Sequence, residues 1–250
     1  AGVPHGLAGL DLDAVERAVA VVDDVDVVAD VDGGGGDVPA AAEELGLIDE
    51  IGHWVFEQAT SAVQRWRNAL PPGSVGESPL QVTVNTSPRQ FISGNSVSGL
   101  LTRMAALSLP GACIAIEITE GLLLDAHPNV TDQLTRLGEQ GIQVSLDDFG
   151  TGYSAMAYLK RLDIDYLKID RSFVRDLTTD PSDLAITEAI IAMAHKLGLT
   201  VVAEGIETEA QRDRLTLAGC DYGQGFLFAT PLPEEAFFAF LAAHPPAGSR

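Results

Sequence analysis

A series of polar side chains in this sequence lies at the ends of short apolar, strand-like runs. These residues are Asn85, Glu117, Asp147 with its neighbour Asp148, Lys168, Glu204 and Gln224. Carboxylate and amide oxygens suit Mg²⁺ or Mn²⁺ better than Zn²⁺. Several carboxylates gathered at one place would repel each other, and two divalent cations would offset that charge. We therefore expect a site for two Mg²⁺ or Mn²⁺ ions, an arrangement that suits phosphodiester hydrolysis, in which Lys168 adds a fixed positive charge.

Each of these residues alone has an ordinary explanation as a helix N-cap or a solvated charge. Their recurrence at six successive strand ends favours a shared site instead. Glu120 and Asp170 come just after two of these ends, and we interpret Asp170 as a cap or ion-pair partner. His195 lies in a helical pattern and is interpreted as structural.

Strands and helices alternate from about residue 43 onward. The predicted strands are 81–84, 113–116, 142–146, 166–167, 199–203 and 224–228; the predicted helices are about 49–70, 97–107, 130–137, 155–161 and 184–197, one that begins at Thr208, and a closing helix around Phe237. Such alternation indicates parallel strands joined by right-handed crossovers. Chemistry at every strand end favours a barrel over an open doubly wound sheet. The predicted fold class is α/β, a modified TIM-like (β/α)₈ barrel in which the first one or two strands are not assigned.

Composition narrows the class of protein further. The 250 residues are 46% apolar, enough for one large α/β domain or two small ones. The net charge of −21 argues against binding to DNA or RNA, because such a surface repels phosphate backbones. Two cysteines form no disulfide framework, and neither a leader nor an apolar run long enough to span a membrane is present. We therefore expect a cytoplasmic protein without a membrane span.

The first 42 residues differ from the rest of the sequence. Residues 18–38 contain only Ala, Val, Asp and Gly. Such a stretch is typical of a flexible, disordered acidic segment around the four glycines at 33–36. Because all four residue types have codons that begin with G, a GC-rich gene read out of frame is a second hypothesis. The predicted organisation is a divergent acidic segment at 1–42, a barrel domain at 43–243 and a tail at 244–250.

Residues 150–155 have the pattern G-x-G-x-x-A, and Asp170 follows twenty residues after Gly150. This pattern is typical of a dinucleotide-binding turn. We discount that interpretation because Asp147 and Asp148 would stand beside the pyrophosphate. A loop over the metal site explains the glycines better.

Six strings of the sequence resemble the EAL domain of bacterial cyclic di-GMP phosphodiesterases. They are VNTSPRQF at 84–91, IEITE at 116–120, DDFGTGYS at 147–154, LKIDRSFV at 167–174, VAEGIET at 202–208 and QGFLF at 224–228. The resemblance runs from about residue 43 to residue 241. It implies a modified barrel that hydrolyses cyclic di-GMP to the linear dinucleotide pGpG with Mg²⁺ or Mn²⁺.

The resemblance also implies a role for each matching residue. Asn85, Glu117 and Asp147 correspond to ligands of a first metal ion, and Asp147, Asp148 and Glu204 to ligands of a second. The implied catalytic residues are Lys168, Glu204, Glu120 and Gln224, where Lys168 and Gln224 position water and the metal-bound network and Glu120 anchors the loop after Asp148. The implied substrate-binding residues are Arg89, Asp148, Gly150 and Gln224. The implied partners are cyclic di-GMP, a second copy in a homodimer, and a fused sensor or diguanylate cyclase-like domain in a longer protein.

One segment departs from the family pattern. The Glu-Ala-Leu tripeptide and the Arg that follows it do not occur, and the gap-free position of that glutamate is near Ala20. Because a metal ligand is missing, we expect impaired hydrolysis in this chain. The alternatives are a catalytically inactive cyclic di-GMP-binding regulatory module, a ligand-free regulatory domain, and an unrelated metal-dependent lyase that uses Lys168 as its base.

Overall fold

The computed structural model describes residues 43–69, 81–124, 128–151, 159–160, 162–232, 236–237 and 239–240. The acidic segment predicted at 1–42, the tail at 244–250 and most of the helix predicted at 155–161 lie outside the described residues. The unassigned first strands of the predicted barrel fall outside them as well.

Six parallel strands form a single sheet whose spatial order follows the chain order. They are β1 (Val82–Asn85), β2 (Ile114–Thr119), β3 (Gln143–Phe149), β4 (Tyr166–Ile169), β5 (Thr200–Ala203) and β6 (Tyr222–Gly223). Side chains from all six strands line one cavity of about 450 Å³, so the sheet curls around a common interior. This architecture confirms the α/β fold class and its TIM-like barrel form.

The helices cover the outside of this sheet. They are α1 (Ile48–Ala69), α2 (Pro88–Ser93), α3 (Asn95–Leu107), α4 (Glu120–Leu124), α5 (Pro128–Glu139), α6 (Arg171–Arg175), α7 (Pro181–Lys196) and α8 (Glu209–Ala218). The five long helices occur where the periodicity predicts them. The short helices α2, α4 and α6 are not predicted, because they begin within the strand-end motifs themselves. None of the described helices is long and apolar enough to cross a membrane.

Successive side chains of each strand point alternately to the hydrophobic core under the helices and to the interior of the barrel. In β2, Ile114, Ile116 and Ile118 are almost fully buried and belong to the hydrophobic cluster, whereas Ala115 and Glu117 line the cavity. Helix α1 contributes the buried face Val55, Ala59, Ala62, Val63 and Trp66 to the same cluster. The sheet therefore turns one face to an apolar shell of helices and the other to a polar interior.

Local capping determines where several helices begin. Thr208 and Gln211 form the capping box that their spacing predicts at the start of α8. Ser87 and Gln90 form a second capping box at the start of α2, directly after β1. Helix α2 begins shortly after the strand, so Asn85 lies at the edge of the sheet that is formed by the carboxyl ends of the strands. We call this edge the rim.

The strand predicted at 224–228 is wrong. The last strand is Tyr222–Gly223, and residues 226–228 form a turn. The amide of Phe228 donates to the carbonyl of Gly225, which closes the turn. Gly225 has φ +151°, and a Cβ there would lie 2.3 Å from backbone atoms of Ile206, so the chain bends against its neighbour instead of extending.

Candidate active site

Three carboxylates from three different strand ends converge on the ammonium group of Lys168. Nζ of Lys168 lies 2.8 Å from Oε1 of Glu117, 3.3 Å from Oδ1 of Asp147 and 2.5 Å from Oε1 of Glu204. The in-register pairing of parallel strands brings these groups together, since it aligns the carboxyl ends of β2, β3, β4 and β5. The structure therefore gathers four of the predicted site residues around a single atom.

This cluster is largely removed from solvent. The side chains of Lys168 and Glu117 are 7% and 9% exposed, and those of Asp147 and Glu204 are 16% and 17% exposed. Burial alone would lower the pKa of Lys168, but the three carboxylates outweigh it and raise that pKa above its usual range. Burial raises the pKa of Glu117 and raises that of Glu204 to about 7, against the opposing effect of Lys168. The single positive charge of Lys168 thus neutralises only part of the negative charge of the three carboxylates.

A β-bulge places the two adjacent aspartates differently. Leu146 pairs with Leu167 and Phe149 pairs with Ile169, so Asp147 and Asp148 together lie opposite Lys168. Asp148 adopts φ +56°, a conformation that is uncommon for a residue other than glycine. The bulge points Asp147 to Lys168 and leaves Asp148 exposed at the rim. The partial removal of its carboxyl group from water, together with the charge of Asp147, raises the pKa of Asp148.

Gln224 and Asn85 lie at opposite ends of the row of strand ends. Nε2 of Gln224 donates to Oε1 of Glu204 at 2.8 Å, so this amide orients one of the central carboxylates. Asn85 is the residue paired with Glu117 in the sheet register, and its side chain is exposed at the rim. The structure therefore joins Gln224 directly to the central cluster and places Asn85 beside Glu117.

Glu120 connects the end of β2 to the loop after Asp148. Its side chain is 4% exposed, and Oε2 accepts a long hydrogen bond of 3.4 Å from the amide of Gly150. Gly150 has φ +99°, and a Cβ there would lie 3.0 Å from the ring of Phe173. Most of the glycine-rich segment that follows lies outside the described residues.

Arg89 lies outside the central cluster, on the short helix α2. Its Nε is 3.3 Å from Oε2 of Glu43, and its Nη1 donates to the carbonyl oxygen of the same residue at 2.6 Å. Ser87 also donates to the Glu43 carboxylate. Arg89 thus connects the start of the described chain to the end of β1, and more than half of its side chain is exposed.

Two residues have the structural roles that the sequence predicts. Oδ1 of Asp170 accepts from the amide of Ser172 and caps helix α6. His195 contacts Oδ2 of Asp221, the oxygen that also accepts from the amide of Val201 at the start of β5. The start of β5 is the amino end of the strand, whereas the central cluster lies at the carboxyl ends.

A second row of polar side chains in the interior is absent from the sequence predictions. Gln81 donates to Gln143 at 2.8 Å, and Gln143 donates to the hydroxyl of Tyr166 at 3.1 Å. This row crosses the small side chain of Ala115, and Gln81, Ala115 and Tyr166 line the cavity below the central cluster. The period-two pattern within each strand is the signal that would have identified these inward-facing positions.

The donor set fits hard divalent cations. The strand ends supply carboxylate and amide oxygens and no thiolate or imidazole, which is the chemistry that Mg²⁺ and Mn²⁺ select. Within the described residues, no three His, Cys, Asp or Glu side chains are arranged as a metal cage.

Comparison with known proteins identifies the family. The model of the EAL domain matches residues 32–231. The chain belongs to the EAL domain family. Among solved structures, this chain is similar to the MucR phosphodiesterase in complex with cyclic di-GMP. The TM-score is 0.73, and the identity is 38% over 81% of this chain and 79% of that one. It also resembles the EAL domain of Mycobacterium smegmatis DcpA, with a TM-score of 0.72 and 38% identity over 80% and 87% of the two chains.

Curated relatives of the EAL domain are larger proteins. The chain is 40% identical over 210 residues to the signaling protein YkoW of Bacillus subtilis, which covers 84% of this chain and 25% of the relative. It is 39% identical over 204 residues to the bifunctional diguanylate cyclase/cyclic di-GMP phosphodiesterase MucR of Pseudomonas aeruginosa, which covers 80% of this chain and 28% of the relative. The chain thus spans about a quarter of the length of these relatives.

EAL phosphodiesterases are metal-dependent enzymes, in agreement with the oxygen-rich donor set.

Proposed function

We propose that this EAL domain hydrolyses cyclic di-GMP to linear pGpG with two Mg²⁺ or Mn²⁺ ions, and that its activity is impaired. The convergence of Glu117, Asp147 and Glu204 on one buried point carries the proposal. The likeness to the cyclic di-GMP complex of the MucR phosphodiesterase supports the choice of substrate.

The rim residues would hold the ions. The proposed ligands are Asn85, Glu117 and Asp147 for one ion, and Asp147, Asp148 and Glu204 for the other. When bound there, such ions would supply Lewis-acid activation of water and stabilisation of charge on the phosphate. The β-bulge supports the assignment because it presents Asp147 to the interior and Asp148 to the rim, so two adjacent carboxylates serve two positions.

The other proposed catalytic groups position the reacting parts. The amide of Gln224 holds Glu204 in one orientation, and Lys168 supplies a permanent positive charge beside the attacking water. Glu120 restrains the backbone at Gly150, next to Asp148. For Gly150, Asp148 and Gln224 we propose substrate contacts at the rim.

Arg89 is the proposed contact to a substrate phosphate at the end of β1. A guanidinium group presents a planar fork of donors that matches phosphate oxygens. In the structure this fork faces Glu43, so substrate binding would exchange one anionic partner for another. The exposure of more than half of the side chain permits that exchange.

The missing Glu-Ala-Leu segment is the reason for the proposed impairment. A carboxylate lost from a metal site removes part of the charge that holds the ions, and metal-assisted charge stabilisation is a main source of catalysis. Outer contacts alone change activity about 10–100-fold. We expect a loss of at least that size relative to relatives that contain the segment.

A cyclic di-GMP receptor without turnover is the second candidate. The absence of the Glu-Ala-Leu segment favours it, because a site that lacks one metal ligand loses part of the charge stabilisation that turnover needs. In this case the nucleotide would bind at the same rim and would change the conformation of the domain without being cleaved.

Incubation of the purified protein with cyclic di-GMP and Mn²⁺, followed by chromatography, separates the two candidates. Hydrolysis to pGpG that is lost in Asp147→Asn, and retained in the exposed control Asp132→Asn, supports the enzyme. Calorimetric binding in Ca²⁺ without turnover in Mn²⁺ supports the receptor. If the protein neither binds nor cleaves the nucleotide, both candidates are wrong.

The remaining assignments concern the protein as a whole. We propose a homodimer, a fused sensor or cyclase-like domain in a longer protein, and a cytoplasmic location. The larger size of the curated relatives supports the presence of further domains.

A further inference from the structure

The buried amide of Gln211 joins two segments of the chain that leave neighbouring strand ends. The residue is 6% exposed, although glutamine usually lies at the surface. Its Oε1 accepts from the backbone amides of Glu207 and Thr208, both at 2.9 Å. Its Nε2 donates to the carbonyl oxygens of Val174 and Arg175, both at 3.1 Å. The oxygen and the two N–H groups of the side-chain amide thus make four hydrogen bonds, which is the full number that such an amide can make.

The two ends of this amide serve two different helices. Oε1 accepts from N–H groups at the start of α8, where backbone donors have no partner within the helix. Nε2 donates to carbonyl groups at the end of α6, where backbone acceptors have no partner further along the helix. A capping box needs only the first of these two contacts. The contact with α6 is therefore additional to the cap that the spacing of Thr208 and Gln211 predicts.

The two joined segments begin at residues of the central cluster. One segment runs from Lys168 on β4 into α6, and the other runs from Glu204 after β5 into α8. The amide of Glu204 donates to the carbonyl of Ile169 at 3.1 Å. Further along, Gly205 packs closely on Arg171, because a Cβ on the glycine would lie 2.7 Å from Cβ of the arginine. The buried glutamine closes this row of contacts at the end that lies farthest from the cluster.

We propose that Gln211 is a positioning residue, which fixes Glu204 relative to Lys168 by holding the segment after β5 against the segment after β4. The inference rests on the proposed function, because Glu204 is a proposed metal ligand, and it adds a residue that acts on this ligand through the backbone. Nζ of Lys168 lies 2.5 Å from Oε1 of Glu204. A small separation of the two segments therefore changes the geometry of the cluster.

Two variants separate this positioning role from helix capping. Gln211→Glu retains the capping box, since that motif accepts glutamate as well as glutamine, but it places an acceptor where two carbonyl groups need a donor. Gln211→Met removes both contacts. The matched control is Gln133→Met, because Gln133 is also 6% exposed and its Oε1 accepts from Arg136 within the same helix, α5.

Hydrogen exchange and Mn²⁺ calorimetry measure the effect of these substitutions. We expect the amide of Glu204 to exchange about tenfold faster in both Gln211 variants than in the wild type, because its hydrogen bond to Ile169 opens more often. The Mn²⁺ affinity should fall about three- to tenfold in both variants, which is less than the loss that follows removal of a direct partner of a metal ligand. Gln133→Met should leave both quantities unchanged.

Gln211→Glu also covers the case in which Gln211→Met does not fold. Wild-type exchange at Glu204 in Gln211→Glu overturns the inference and leaves the glutamine as a helix cap only. Faster exchange with unchanged Mn²⁺ affinity overturns it too, and so do equal changes in Gln133→Met, which would reflect a general loss of stability. If the wild type does not bind Mn²⁺, the proposed metal site fails, and exchange at Glu204 still decides whether Gln211 holds the two segments together.

Discussion

Gln224 and Lys168 contact the same oxygen atom, Oε1 of Glu204. The amide of Gln224 donates to it at 2.8 Å, and Nζ of Lys168 lies 2.5 Å away. The two donors come from the ends of different strands, so the orientation of Glu204 depends on the relative position of β4 and the segment after β6. A carboxylate held from two directions is ready to bind an ion without a search through rotamers.

The contact between Gln224 and Glu204 leads to the first prediction. Gln224→Ala removes one of the two donors, so Glu204 gains rotational freedom in the absence of substrate. We expect a 10–100-fold loss of Mn²⁺ affinity, as is typical when a group that orients a metal ligand is removed. Calorimetry measures this loss, and the exposed residue Gln140 provides the control Gln140→Ala. Unchanged affinity in Gln224→Ala would show that the amide does not orient the ligand.

The raised pKa of Glu204 predicts a pH dependence of stability. Its pKa is about 7 in the folded protein and about 4.5 in the unfolded chain, so the folded state binds the proton more tightly. The resulting stabilisation is complete below pH 4.5 and is lost as the pH rises through 7. Its size is on the order of 3 kcal/mol, because each pKa unit corresponds to about 1.4 kcal/mol.

Urea unfolding in chelator at pH 5 and pH 8 measures this contribution. The variant Glu204→Gln cannot titrate at this position, so its stability should change less between the two pH values than that of the wild type. An equal change in both proteins would assign the pH dependence to other groups.

The backbone conformation of Asp148 predicts a trade between stability and activity. Asp148→Gly relieves the positive φ and removes repulsion from Asp147, so we expect a gain of about 1 kcal/mol in the free energy of unfolding. Turnover of cyclic di-GMP should fall in the same variant, because a proposed metal ligand is lost. Ser108 has φ +52° at the end of α3, and Ser108→Gly should gain stability without a change in turnover. A loss of stability in Asp148→Gly would argue against strain at this position.

Close packing at Gly52 predicts a purely structural effect. A Cβ at this position would lie 1.5 Å from Nε2 of Gln90, whose side chain completes the capping box of α2. Gly52→Ala must displace that side chain, and we expect a loss of about 1–3 kcal/mol. Gly121→Ala is the matched control, since its nearest neighbour would be 3.8 Å away. Urea unfolding measures the loss of stability in both variants. The two losses should be equal if the Gln90 side chain can adopt another rotamer that makes room for the new Cβ.

The sequence was sufficient to predict the order of the elements and the residues at the strand ends. Apolar runs that end in a polar residue are visible without coordinates, and parallel strands place their carboxyl ends at one edge. For this reason Glu117, Asp147, Lys168 and Glu204 could be expected to meet. The capping box of α8 was predictable too, because Thr208 and Gln211 have the required spacing.

Other features depend on contacts that no local pattern encodes. The bulge at Asp147 and Asp148 breaks the period-two rule and follows from the pairing of β3 with β4. The early end of β6 results from the close approach of Gly225 to Ile206, two residues that are distant in sequence. The central place of Lys168 among three carboxylates could not be predicted either, because strand-end patterns carry no distances.

The match between spatial order and chain order in the sheet has a consequence for the assembly of the domain. The proposed ligands and their supporting amide extend from Asn85 on β1 to Gln224 after β6. An ion held by them would cross-link early and late parts of the polypeptide and so close a long loop of the chain. Amide hydrogens along the whole rim should then exchange more slowly with solvent deuterium once the ion is added, including those of strands that supply no ligand.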